Sequence, residues 1–128
     1  TLETAIVNRN DSWKGITMYG DANNLITCGC VGDRLILKYI LEGKEHPLAD
    51  LPLPASPLYL RMKVTDGTHS TFYWSKDGQA WNEIVGEALS AKETRSLIQW
   101  DRISRPGLYQ EGNITAPAVY AYSLLKNE

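Results

Sequence analysis

The 128-residue chain sets 13 Lys and Arg against 15 Asp and Glu, for a net charge of −2 and a pI near 5.7. Its basic residues are scattered, so the field that draws a protein onto nucleic acid is missing. No apolar run reaches the ~18 residues of a membrane span, and the start Thr1-Leu2-Glu3-Thr4-Ala5-Ile6-Val7 lacks the basic-then-apolar order of a signal peptide; neither nucleic acid nor membrane is an expected partner.

With 43% apolar and 22% charged residues, the chain suits one domain with a real hydrophobic core over residues 1–128 and is too short for two ordinary domains. It opens without a methionine, which reads as a processed or excised piece of something longer and leaves the compartment unassigned.

In chain order, period-two alternation and turn punctuation recur throughout, and no breaker-free segment of about 11 residues keeps a helical period. The chain therefore reads as all-β. Predicted strands are Leu2–Val7, Gly15–Tyr19, Leu25–Cys30, Arg34–Glu42, Leu58–Thr65, Ser70–Ser75, Trp81–Ile84, Ser96–Trp100, Gly107–Gln110 and Ala118–Leu125. Turns such as Gly20-Asp21-Ala22-Asn23-Asn24 and Lys76-Asp77-Gly78-Gln79 separate them. Two stretches break the rhythm. Residues His46 to Pro57 contain four prolines, which cannot donate to a central ladder, so a surface connection is expected there. Glu87 to Glu93 contains fair helix formers but allows at most a turn or two. Short strands at this spacing favour a sandwich or barrel.

Alternation assigns faces within the hairpin TFYWSKDGQAW. Phe72 and Trp74 share one face and Tyr73 and Ser75 the other; Phe72, the single phenylalanine, marks the inner one. Asp77-Gly78 turns the chain back antiparallel, and Trp81 is expected to close the hairpin from inside. Cys28 and Cys30 flank Gly29 on one strand face. They read as small core side chains, with a strained local disulfide or half of a metal site as the alternatives. His46 and His69 have no spacing that would complete a zinc site, and the loop Asp21, Asn23, Asn24 lacks the bidentate Glu of an EF-hand. No cofactor or metal is expected. Asn10-Asp11-Ser12 and Asn113-Ile114-Thr115 match the N-glycosylation triplet, which also arises by chance.

Catalytic motifs are lacking. Neither histidine has a nucleophile partner motif, no Gly-rich phosphate cradle is present, and no strand reads acid-x-acid, the pattern that aims two carboxylates into one groove. The richer resource is aromatic: sugar rings pack their C–H faces on Trp or Tyr while polar neighbours fix the hydroxyls. Trp13, Tyr19, Trp74, Trp100, Tyr109, Tyr120 and Tyr122 could each serve so, or simply fill a core. Trp13-Lys14 and Trp100-Asp101-Arg102 stand out because each Trp sits at an element edge beside charge. The carbohydrate-binding set expected is Trp13, Trp100, Asp101, Arg102 and Tyr109, the alternative being Trp lids over the end of a sandwich.

Three segments together resemble a known pattern. Trp13-Lys14-Gly15-Ile16-Thr17-Met18-Tyr19 running to Ile26, then Leu58-Tyr59-Leu60-Arg61-Met62-Lys63-Val64 with Phe72 to Trp81, then Arg105-Pro106-Gly107-Leu108-Tyr109 with Ala118–Leu125, resemble concanavalin A-like jelly-roll modules. They are most similar to the carboxy-terminal domains of family 43 glycoside hydrolases, the beta-xylosidase and arabinofuranosidase group, and to the domain of unknown function related to regulation of enolase. The resemblance implies a two-sheet antiparallel jelly-roll sandwich, itself non-catalytic, that binds carbohydrate or accompanies a carbohydrate-active enzyme; no catalytic residue transfers. Its partners would be a polysaccharide or oligosaccharide, or a catalytic domain or second chain. The competing expectation is a structural, protein-interaction module that never touches sugar.

The chain departs from the pattern in two places. One or more strands that precede the Leu2–Val7 match in the relatives are missing, so that either another chain supplies them or the fold is a trimmed version with an edge to be covered. The terminal Tyr120-Ala121-Tyr122-Ser123 lacks the acidic residue common there, which argues against a calcium site. A rival motif, the sialidase Asp-box, is approached once by Ser75-x-Asp77-Gly78-x-x-Trp81 but is one residue short, and one copy cannot build a propeller. The shared feature is hairpin chemistry, with Ser and Asp bonding turn amides.

Overall fold

A computed structural model describes residues 1–7, 10–65, 69–84, 105–111 and 118–125. These residues form ten strands in two antiparallel sheets packed as a sandwich, with no helix among them. The strands are β1 Leu2–Ile6, β2 Trp13–Asp21, β3 Asn24–Val31, β4 Arg34–Leu41, β5 Lys44–Pro52, β6 Leu58–Thr65, β7 His69–Ser75, β8 Asn82–Glu83, β9 Arg105–Glu111 and β10 Tyr120–Leu125. Sheet A runs β10-β1-β6-β7-β8 and sheet B runs β5-β4-β3-β2-β9. No helix of the described residues is long and apolar enough to cross a membrane.

Alternation decides what each strand buries. From sheet A, Leu2, Ile6, Leu58, Leu60, Met62 and Phe72 point inward. Ile16, Ile26, Cys28, Cys30, Leu35, Leu37 and Tyr39 meet them from sheet B. Each fully buried apolar side chain of this size contributes roughly 1.5–3 kcal/mol, so this interleaved layer is the main source of stability. The two cysteines are free and buried, as small core side chains. Lys14 also lies on the inward row and is fully buried. Its ammonium donates to the Ser12 carbonyl at 2.7 Å and to Asn10 Oδ1 at 2.8 Å. Burial lowers its pKa, opposed by the nearby Cys30 and Asp11.

Two expectations need correction. The proline-rich stretch is not wholly a connection, because β5 runs through Pro47 to Pro52. It lies at the edge of sheet B, where a missing amide donor is tolerated. β1 itself is an inner strand, paired with β6 on one side and β10 on the other, so the edges of sheet A lie at β10 and β8. Trp81 does not close its hairpin from inside. Its ring lies under the Arg61 guanidinium, 4.1 Å from ring centroid to Cζ, and Arg61 pairs across the strands with Tyr73 and Glu3, on the outward face of sheet A. The Ser75 to Trp81 turn swings the indole over the strand rather than beneath it, while Phe72 and Trp74 do pack inward. The predicted strand Ser96–Trp100, the short helical stretch Glu87 to Glu93 and the triplet Asn113-Ile114-Thr115 lie outside the described residues.

Candidate functional site

The outward face of sheet B is built from cross-strand rows. One row runs Tyr109, Gly15, Gly29, Ile36, Asp50, and the next runs Gly107, Thr17, Thr27, Lys38, Pro47. A third runs Arg105, Tyr19, Leu25, Ile40, Glu45. This face is well covered: Thr17, Leu25, Thr27 and Ile40 on it are buried. Both threonine hydroxyls are used within the sheet, Thr17 Oγ1 donating to the Ile26 carbonyl and Thr27 Oγ1 to the Ile16 carbonyl, each at 2.9 Å.

The paired glycines create the space that Trp13 occupies. A Cβ on Gly29 would sit 2.9 Å from Trp13 Cε2 and 2.4 Å from the Lys14 carbonyl oxygen, so only glycine lets the indole lie against the sheet. Trp13 is consequently 5% exposed. The Lys38 ammonium lies 4.2 Å from the centroid of its ring, a cation–π contact. Two carboxylates hold that ammonium from opposite edge strands: Glu45 of β5, by a short ion pair, and Glu111 of β9 at 3.3 Å. Glu111 Oε1 also accepts a hydrogen bond from the Tyr109 hydroxyl at 2.6 Å. Burial first and this carboxylate second push the Tyr109 pKa up. Trp13 Nε1 is buried with no hydrogen-bond partner among the described residues.

Above this network opens a cleft of about 530 Å³. Trp13, Val31, Ile36 and Pro47 give it apolar walls, and Asp11, Lys38, Glu45 and Glu111 give it polar ones. Beside it, a hollow of about 390 Å³ follows β9 between Tyr19 and Tyr109. The two tyrosine rings meet edge to face, 6.4 Å between centroids, and Tyr19 is 39% exposed. Mixed apolar walls with a few fixed charges are the usual make-up of a small-ligand site. Among the described residues, no cluster of His, Cys, Asp and Glu could hold a metal ion.

Of the expected site residues, Trp13 and Tyr109 come together on this face, joined through Glu111 and Lys38. Trp100, Asp101 and Arg102 lie outside the described residues. Lys38, Glu45 and Glu111 were not singled out in the sequence, although two signals were present. Lys38 is a lone charge inside the apolar run Leu35-Ile36-Leu37-Lys38-Tyr39-Ile40, and a buried charge needs partners. Glu111 follows Tyr109 by two residues, on the same strand face.

The fold has solved counterparts. The chain matches the family 43 protein BlXynB from Bacillus licheniformis with a TM-score of 0.70 at 14% identity, over 95% of this chain and 25% of that one. It matches a xylan beta-1,4-xylosidase from Bacillus halodurans with a TM-score of 0.71 at 17% identity, over 95% and 26%. The fold is one these enzymes carry. A bifunctional GH43-CE protein from Bacteroides eggerthii matches less fully, with a TM-score of 0.62 at 14% identity over 85% of this chain and 15% of that one. The chain thus spans about a quarter of the length of the first two proteins. No protein-family model and no curated protein matches the sequence.

Proposed function

We propose that the chain is a non-catalytic, lectin-like module that binds carbohydrate or accompanies a carbohydrate-active enzyme, with its sugar site on the outward face of sheet B. The observation that carries this reading is the Trp13 cleft, where a Lys38, Glu45 and Glu111 network lies beside two partly open tyrosine rings. In this reading Tyr109 and Tyr19 stack on the sugar, and Glu45 and Glu111, held in place by Lys38, fix its hydroxyls. Trp13 supports the network from below instead of stacking itself, because its ring is already covered. Trp100, Asp101 and Arg102 remain part of the proposed set from their sequence pattern. Affinity electrophoresis through gels containing xylan, arabinan or cellulose derivatives tests it: wild-type protein should be retarded by at least one polymer, and Tyr109→Ala should lose most of that retardation. Retardation by none of them would remove the sugar-binding reading.

A second reading is favoured by the outward face of sheet A. There Arg61 lies over Trp81 and bonds Glu3 at 2.6 Å, and half-buried Tyr59 and exposed Tyr122 form a tilted pair 6.2 Å apart. Tyr, Trp and Arg are the residues enriched in protein interfaces, so this face suits contact with a catalytic domain. That reading predicts measurable association with such a domain, abolished by Arg61→Glu, and no glycan binding.

A further inference from the structure

We infer that the sheet B cleft selects uncharged glycans and rejects chains bearing uronic acids; this rests on the carbohydrate-binding reading above. Among the described residues, the lining of this cleft sets Asp11, Glu45 and Glu111 against Lys38. That one cation is not available to a ligand. Its ammonium already faces two carboxylates and the Trp13 ring, and its side chain is only 10% exposed. A uronate carboxylate entering the cleft would therefore meet, among the described residues, the outward sides of Glu45 and Glu111 and the exposed Asp11 before the Lys38 ammonium. To pair with Lys38 it would have to displace a carboxylate that is tied to a folded edge strand.

Neutral sugars meet the opposite situation. Hydroxyls are donors, and ionised carboxylates are acceptors only. The cleft thus offers acceptors to any ring that brings O–H groups and no negative charge. Glu111 is also fixed in place by the Tyr109 hydroxyl, so little ordering remains to be done when a sugar hydroxyl arrives. At close range in a partly screened cleft, repulsion from a net lining charge of this size amounts to about tenfold in affinity, or ~1.4 kcal/mol.

The test uses three polymers that share a β-1,4-xylan backbone: arabinoxylan, glucuronoxylan, and glucuronoxylan whose carboxyl groups have been reduced to alcohols. At low ionic strength, arabinoxylan and the reduced polymer should bind alike, with glucuronoxylan about tenfold weaker. The difference should shrink several-fold in 0.5 M NaCl, where charges are screened over a few ångströms. Glu45→Gln with Glu111→Gln should narrow the gap between acidic and reduced polymer. Asp11→Asn, on an exposed turn where loss of folding is not at issue, should narrow it in part. Equal binding of glucuronoxylan and its reduced form at low salt would overturn the inference while leaving sugar binding intact. Failure of all three polymers to bind, together with the other glycans tried, would instead remove the reading on which it rests.

Discussion

Tyr120 reaches from the edge of one sheet into the seam of the other. It begins β10 in sheet A, yet its hydroxyl accepts from the Gly15 amide at 3.1 Å and is 3.0 Å from the Tyr109 carbonyl and 3.2 Å from that of Gly15, both acceptors. Those are backbone groups of β2 and β9, so one side chain ties the sheets together beneath the candidate cleft. Tyr120→Phe should cost about 1–3 kcal/mol at neutral pH, read from urea denaturation, because buried backbone groups lose their partner. The pH dependence has a definite sign. Burial, opposed by the bonds to Gly15 and Tyr109, pushes the Tyr120 pKa up to about 12, against an ordinary value near 10. Between those values the folded protein keeps a proton that the unfolded chain has lost, so stability falls as pH rises through this window. The variant has no such proton, and the stability gap between the two proteins should narrow from pH 8 to pH 11. Lys14 titrates in both proteins and cancels from the comparison. A gap that stays constant across this range would show that the hydroxyl is not buried in the seam.

At the scale of elements, strand existence was legible wherever alternation was undisturbed. β1, β3, β4, β6 and β7 fall within a residue or so of their expected bounds. β5 was not legible, because Pro47 and Pro52 argue against a strand until it is known that the strand lies at an edge. The β7 to β8 turn was legible in chemistry but not in direction. Ser75 Oγ accepts from the Gly78 amide at 2.9 Å, and Asp77 Oδ1 accepts from the Gln79 amide at 2.8 Å, as the Ser and Asp pattern implies. Which side Trp81 falls on depends instead on Arg61, a residue of another strand. The Gly15 and Gly29 pair was invisible for the same reason: register brings them side by side, and register is not local. Gly29→Ala should therefore lose on the order of 3 kcal/mol, since its Cβ would strike backbone as well as Trp13. Gly107→Ala is the matched control on the same face, with nothing within 4 Å of its added Cβ; it should change stability by about 0.5 kcal/mol or less. Similar losses for the two would mean that the close approach of β2 and β3 does not constrain Gly29.

For the whole molecule, composition and alternation sufficed for an all-β sandwich, whereas the candidate site depends on which strands become edges. Lys38 lies in the middle of β4 but meets Glu45 and Glu111 only because β5 and β9 close the two ends of sheet B. The same two-sheet arrangement makes the thiols a gauge of global unfolding. Cys28 and Cys30 project into the space between the sheets at 0% and 3% exposure. Burial is the leading cause that pushes both thiol pKa values up, so the reactive thiolate is scarce in the folded state. Modification by a thiol reagent should then require separation of the sheets. Both cysteines should react at one slow rate in native buffer, and that rate should rise with urea along the slope of global denaturation. Gly29→Ala, which weakens the same sheet, should speed labelling roughly a hundredfold if its cost is near 3 kcal/mol. A thiol that reacts quickly in native buffer, or at a rate indifferent to both urea and Gly29→Ala, would place that cysteine on a locally opening segment instead of in the shared core.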